Sequence, residues 1–268
     1  MKANNIIPHD VKHFPPLPDA STSFKLIGEA PLSIQIQGNP FFVGMRTPGE
    51  EIAHAAGFCL SEGIVESADD LASVGYADES NPDVVNVELT LPRWHQFQKM
   101  LENRGRGGPD GFGLGGQDTV EALCRRVPPL PEGDAIDLKK GLECLDRLDH
   151  HQALRGETRA AHATGVYTSG FELMTVSEDV GRHNGMDKAI GRLLLDRRLN
   201  QAGVLALSSR VSFELVQKAA RARIPVILSV SRPTALAVHL ASRLNMALAC
   251  LSRGGGGYIF CGEHRFKT

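Results

Sequence analysis

The chain has 268 residues, 42% of them hydrophobic, and a formal net charge of −2 at pH 7. That length buries a sizeable core in two lobes or one large domain, and the near-neutral balance gives no electrostatic basis for binding nucleic acid or an anionic membrane. No stretch approaches the roughly 18 apolar residues of a membrane helix, and the opening residues lack the apolar core of a signal peptide, so a cytoplasmic protein is expected.

Residues 1–22 are polar and carry prolines, which predicts a loose arm. Leu32, Ile34 and Ile36 alternate with Ser33, Gln35 and Gln37, the period of a half-buried strand. Gly38-Asn39-Pro40 then turns the chain into a hairpin partner at 41–45. Thr47-Pro48-Gly49-Glu50 has the form of a capping box with proline at the first helical position. A helix is predicted from there, with Ile52, Ala55, Ala56 and Cys59 on one face and a stop near Gly63. Residues 84–89 alternate again as a strand. Residues 1–103 are therefore read as a small α+β lobe. Seven glycines between Gly105 and Gly116 break the pattern. Backbone of that composition is free and costly to order, and 104–118 is read as a mobile loop.

Residues 119–268 alternate strand and helix. Apolar runs fall at 173–176, 204–207, 224–230 and 246–251, with helical patterns at 184–197, 212–222 and 234–244 between them. The third run is continuously apolar, as in a strand covered on both faces. The alternation predicts an α/β sandwich around a largely parallel sheet.

In such sheets ligands collect beyond the carboxyl ends of the strands, and there this chain concentrates its polar residues. Glu178-Asp179-Val180-Gly181-Arg182-His183-Asn184-Gly185-Met186-Asp187-Lys188 follows the first run. As a turn it needs only Asn184 as a helix cap with Asp187 three residues on, which leaves the adjoining Arg-His pair unexplained. Ser208 to Glu214 follows the second run, Ser231 to Thr234 the third, and Leu251-Ser252-Arg253-Gly254-Gly255-Gly256-Gly257 closes the last. The candidate pocket for a large anionic ligand comprises Arg182, His183, Asn184, Arg210, Leu251, Ser252, Arg253, Gly254, Gly255 and Gly256. Arginine supplies forked donors suited to phosphate, and a glycine run lets backbone N–H groups approach a pyrophosphate. Tyr258 is placed to stack on a ring or, as an isolated tyrosine, to join the core. No CxxC, HExxH or paired-cysteine spacing is present, so no structural metal is expected. The five cysteines, Cys59, Cys124, Cys144, Cys250 and Cys261, are read as free thiols in a reducing compartment.

The 178–191 segment EDVGRHNGMDKAIG resembles the signature of the formate dehydrogenase accessory (FdhD/NarQ) family, EDVGRHNAxDKxxG. Ser208-Ser209-Arg210-Val211-Ser212-Phe213-Glu214 resembles its SGRVSxE, and Ser231-Arg232-Pro233-Thr234 its SxPT. Upstream, Arg46-Thr47-Pro48-Gly49 resembles its RTP segment, and Gly57-Phe58-Cys59-Leu60-Ser61-Glu62-Gly63-Ile64 its GFLxxEGI. The matches run in order over about residues 30 to 260. The resemblance implies a cytidine deaminase-like α/β/α sandwich in the C-terminal part, although the deaminase zinc motif is absent. It also implies a cytoplasmic sulfurtransferase that takes persulfide sulfur from a cysteine desulfurase. That sulfur goes to the molybdenum bis(guanylyl-molybdopterin) cofactor of the formate dehydrogenase catalytic subunit. GDP is the expected surrogate ligand, and a homodimer the expected assembly.

The chain departs from this family in two places. Phe112 and Gly115 occupy the positions of the family's two loop cysteines, so no catalytic residue is assigned. A thiolate is the nucleophile in sulfur relay, and the substitute of most interest is Cys124, which Arg125 and Arg126 follow. Tyr167 stands where the family's TGGxH segment has histidine, with His162 five residues earlier. The alternative to a divergent sulfurtransferase is a cofactor-binding chaperone that relays no sulfur. A third reading, an unrelated α/β nucleotide enzyme, conflicts with the ordered motif matches.

Overall fold

The computed structural model describes residues 4–11, 22–104, 121, 123–252 and 254–267. The glycine-rich loop beyond residue 104, with Phe112 and Gly115, lies outside the described residues, as does Arg253. The described part of the expected arm is not loose. Strand β1 (Ile6–Val11) pairs antiparallel with β2 (Thr22–Ile27), and Gly28 N–H donates to the Asn5 carbonyl.

β3 (Ala30–Ile36) and β4 (Asn39–Arg46) form the expected hairpin. Its turn residues Gln37 and Gly38 both take positive φ, 51° and 74°, as a tight hairpin turn matched to strand twist requires. Helix α1 (Glu51–Ser61) follows, then β5 (Leu71–Asp78), β6 (Asn81–Leu89) and α2 (Leu91–Arg104). The four strands are ordered β4-β3-β6-β5, with β3 and β6 parallel because α1 lies in the connection between them. Leu32, Ile34, Ile36, Val85 and Val87 form the buried face. The start of α1 differs from the expected capping box. Glu50 is the N-cap, in the left-handed region at φ 61°, without a side-chain cap bond. Thr47 Oγ1 instead accepts from Val180 N–H, across to the other half of the chain.

Beyond β7 (Ile136–Asp137), α3 (Leu138–Leu148) and α4 (Ala153–Thr158) lies a six-stranded sheet. Its strands are β8 (His162–Thr168), β9 (Leu173–Asp179), β10 (Ala202–Leu207), β11 (Val226–Ser229), β12 (Ala247–Leu251) and β13 (Gly257–Cys261). Helices α5 (Arg182–Leu195), α6 (Phe213–Arg221) and α7 (Ala235–Arg243) connect them, and β14 (Phe266–Lys267) returns to pair with β7. The spatial order is β13-β12-β11-β10-β8-β9. Only β10, β11 and β12 pair in parallel, so the sheet is mixed rather than largely parallel. The cause is loop length. Short turns join β8 to β9 and β12 to β13, and a short turn joins only antiparallel strands. The latter turn needs positive φ at Gly255 (90°) and Gly256 (69°).

Both faces of this sheet are covered. Val204, Ala206, Val226, Leu228, Ala247 and Ala249 pack with Leu142, Cys144, Leu145 and Leu148 of α3. Leu205, Leu207, Ile227 and Leu248 belong to a second cluster, which runs through α5, α6 and α1 to Leu32 and Val85 of the first sheet. The two halves thus share one apolar core. It closes where α1 crosses α5, at a contact that excludes side chains. A Cβ at Gly57 would run into the Asp187 carbonyl, and one at Gly191 into the Ala53 carbonyl.

Gly57→Ala and Gly191→Ala should therefore each lose at least about 1–3 kcal/mol, because rigid backbone opposes the new methyl. Gly185→Ala on the same helix, where the nearest atom lies 3.7 Å from an added Cβ, should be neutral or stabilising by up to about 1 kcal/mol. Urea unfolding of the three variants measures this, and equal losses at all three would refute the crossing constraint.

Candidate functional site

The polar segment after β9 divides into two sets of residues. Asp179 is fully buried. Its Oδ2 accepts from Thr47 N–H at 3.0 Å and lies 2.7 Å from Lys188 Nζ; its Oδ1 accepts from Gly181 N–H at 2.8 Å and Asn184 Nδ2 at 2.9 Å. Lys188 also donates to the Thr47 carbonyl at 2.8 Å. In the second turn of α5, Asp187 is buried as well, accepting from Lys218 Nζ at 2.8 and 2.9 Å and from Ser61 Oγ at 2.7 Å. Glu178 accepts from the N–H groups of Leu154 and Arg155 at 2.8 and 2.9 Å, holding the start of α4. The acids of this segment and Lys188 are therefore internal ties. Asn184 belongs with them. It sits inside the first turn of α5, whose N-cap is Gly181, and donates to the Met45 carbonyl.

Arg182 and His183 are the members left at the surface, both half-buried. His183 Nε2 lies 3.4 Å from Ser212 Oγ and 3.8 Å from Glu214. Burial, then the charges of Arg182 and Lys218, hold its imidazole below the ordinary range. At the carboxyl ends of β11 and β12, a cleft of about 640 Å³ is lined by Arg210, Val230, Ser231, Arg232, Leu251 and Tyr258. The Arg232 guanidinium stands 5.9 Å from the centre of the Tyr258 ring. Leu251 also lines a second groove of about 750 Å³, bounded by Ser252, Gly255, Gly256 and Gly257 on one side and Leu138, Leu142 and Asp146 on the other. Gly254 is exposed on the turn between β12 and β13. Of the residues expected at the rim, the fold thus brings Arg210 and Leu251 into one cleft and Ser252, Gly255 and Gly256 into its neighbour. Arg182 and His183 follow β9, farther along the same edge.

Two rim residues, Arg232 and His162, escaped the sequence reading as ligand contacts, and for Tyr258 it left stacking and core packing both open. Arg232 lies within a recognised motif and lines the cleft. Tyr258 is 50% exposed rather than core. His162 begins β8 at the same edge, with its Nδ1 sealed from solvent and unpartnered. The spacing Thr158-x-x-x-His162 is that of the TGGxH segment and would have identified it. Tyr167, assigned there from sequence, is buried; its hydroxyl donates to the Cys144 carbonyl at 3.2 Å, and burial pushes its pKa up to about 12.

Among the described residues, Arg155, Arg182, Arg210 and Arg232 have no carboxylate within 4 Å, a property shared with arginines elsewhere such as Arg126 and Arg223. What distinguishes the four is that they lie along one sheet edge, whereas Arg46, Arg93, Arg125, Arg192 and Arg197 are ion-paired. The thiols offer less. Cys59, Cys144, Cys250 and Cys261 are buried, and burial raises all five thiol pKa values. At half-buried Cys124 the favourable charge comes from Arg243, not from its neighbours in sequence, and burial outweighs it. Among the described residues, no group of three or more His, Cys, Asp or Glu is placed to hold a metal ion and no helix is long and apolar enough to cross a membrane.

A model described as the FdhD/NarQ family matches residues 27–267. The chain is 36% identical over 256 residues to the sulfur carrier protein FdhD of Streptomyces avermitilis, covering 90% of this chain and 88% of that one. It is 38% identical over 249 residues to the protein of the same name from Streptomyces coelicolor, with the same coverage. A crystal structure from Desulfotalea psychrophila, named as a formate dehydrogenase accessory protein, superposes with a TM-score of 0.75 over 98% of both chains at 22% identity.

The charge network has a pH signature. His54 is buried on α1, and burial, then Lys188, Lys218 and Arg46, hold its pKa well below the usual 6.5. It therefore stays neutral in the fold while the unfolded chain takes up a proton below about pH 6.5. Its contribution is fully present above that pH and is lost as the pH falls, at up to about 1.4 kcal/mol per pH unit. Urea unfolding between pH 7 and 5 should show this slope, reduced in His54→Gln; an unchanged slope would exclude His54 as its source.

Proposed function

The chain belongs to the FdhD/NarQ family, and from that premise we propose that it is a formate dehydrogenase accessory protein acting in the cytoplasm on a molybdenum bis(guanylyl-molybdopterin) cofactor. The observation that carries the reading is the row of arginines without carboxylate partners along one sheet edge. Arg210 and Arg232 are exposed with their donors turned to solvent, and phosphate supplies a forked, charge-assisted partner for them. In this reading Arg210 and Arg232 receive the phosphates of a guanine nucleotide, and Tyr258 offers a ring face. Arg182 and His183 extend the cationic edge, the turn at Gly254, Gly255 and Gly256 lets the ligand approach the backbone, and Arg253, outside the described residues, is assigned to the ligand from its sequence position alone. The formate dehydrogenase catalytic subunit is the destination of the cofactor. A second copy of the chain is the proposed assembly partner, supported by Val43 and Met45, 65% and 54% exposed on edge strand β4. The six-stranded sheet covered by helices on both faces is compatible with a cytidine deaminase-like sandwich.

Two readings of the chemistry differ in one step. A sulfur carrier needs a thiolate that attacks the outer sulfur of a cysteine desulfurase persulfide, forming a new S–S bond and releasing the desulfurase thiolate. Phe112 and Gly115 cannot do this, and burial works against the thiolate form of every cysteine described. These two observations favour a chaperone that holds the cofactor without relaying sulfur.

Calorimetry with GDP tests the rim. Arg210→Ala, Arg182→Ala and Arg253→Ala should each weaken binding by about 1.5–3 kcal/mol, the range for hydrogen bonds to charged groups. Unchanged affinity in all three would remove the nucleotide from this edge. Sulfur relay is tested by incubation with a cysteine desulfurase and cysteine, followed by mass spectrometry of tryptic peptides. The wild type should gain no persulfide on the 105–116 loop, and a Phe112→Cys/Gly115→Cys variant should gain one. A wild-type persulfide on Cys124, lost together with formate dehydrogenase activation in Cys124→Ala, would overturn the chaperone reading.

A further inference from the structure

We infer that the rim carries a second oxyanion subsite, built by His162, Arg155 and Arg182, which shares Arg210 with the Arg232–Tyr258 cleft. Its ligand class is a phosphate-type group, so the edge as a whole fits a ligand with two separated phosphate-type groups. The inference rests on the reading of this edge as an anion-binding face, and it adds residues and a location that the cleft does not contain.

Short tethers bring the groups together. His162 pairs with Asp179 across the β8–β9 ladder, three residues before Arg182. Arg155 reaches back to the Ala161 carbonyl, Nη1 to O 3.4 Å, beside His162. Ser208 bonds twice to Ala163, accepting its N–H at 2.8 Å and donating its own at 3.1 Å, which brings Arg210 to the same corner. The charges of Arg182, Arg155 and Arg210 all act on the His162 ring. Two atoms here, His162 Nδ1 and Arg182 Nε, are shielded from water without a hydrogen-bond partner. Such groups cost free energy unless a partner arrives. The nearby acids are already engaged. Glu178 serves the N–H groups of Leu154 and Arg155, and Asp179 serves Thr47, Gly181, Asn184 and Lys188. Glu214 stands 3.8 Å from His183. The Arg182 end of α5 adds its dipole, of the sign that favours an anion. An oxyanion here would accept from Nδ1–H of His162 and from Arg182 Nε, while Arg155 closes the open side.

Inorganic phosphate and pyrophosphate are the probes, read by NMR of the His162 imidazole, assigned by its absence in His162→Gln. Phosphate should shift the His162 ring saturably, and the shift should persist in Arg232→Ala, which disables the cleft alone. In Arg155→Gln and Arg182→Gln, checked for unchanged unfolding midpoints, the apparent affinity should fall about tenfold or more. A silent His162 ring while GDP still binds and Arg232→Ala weakens it would overturn the second subsite and leave the cleft standing. An equal response in wild type, Arg155→Gln and Arg182→Gln would overturn it too. Failure of GDP, phosphate and pyrophosphate alike to bind would take away the anion-binding edge and this inference with it.

Discussion

Asp179 is a carboxylate without access to water, and its donors come from the loop before α1, from the turn after β9 and from the body of α5. An ionised group so placed is tolerable only while every lone pair is served. Losing one partner of such a pair typically costs about 3–5 kcal/mol. The constraint is geometric before it is energetic. Thr47 must lie against the β9–α5 turn, which fixes the first lobe on the second, and Lys188 must point inward, which fixes the rotation of α5. Asp187 repeats the arrangement one residue earlier with Ser61 and Lys218. With α5 pinned in this way, Arg182 and His183 remain on the outer edge of its first turn.

The apolar periodicities of the chain were sufficient to locate the β3–β4 hairpin, β6 and the strand–helix alternation of the second half, because those patterns are local. What depended on distant partners was not legible. Thr47 has every local mark of a helix cap, yet its hydroxyl serves Val180, 133 residues away. Asp187 and Lys188 look like site residues beside Arg182 and His183, since a charge in a sequence carries no sign of its burial. Strand direction failed for a related reason. β8 is mixed in composition, so the antiparallel hairpin it makes with β9 leaves only a weak signal. The arginine edge was half visible, with Arg182 and Arg210 found from their place after strands. Arg232 required the sheet order, whereas His162 could have been found from its spacing to Thr158.

The chemistry of the site follows the same division. The residues that tie the halves together are intact, and the fold agrees with its relatives over nearly the whole chain. Phe112 and Gly115 carry no thiol, and four of the five cysteines are buried, with Cys124 half-buried. Binding and covalent transfer are separable tasks in such a scaffold. The first uses charge held at a rigid edge. The second needs a nucleophile brought to it, and neither Phe112 nor Gly115 supplies one.

Leu251 ends the last parallel strand and forms a wall of both depressions beside it, the arginine cleft and the glycine-turn groove. A shared wall means the two cannot change shape independently. An occupant that pushes the leucine toward one side narrows that side and widens the other. Small ligands tested singly would then compete or cooperate through one rotamer without touching each other, and their separate affinities would not sum to that of a molecule spanning the two.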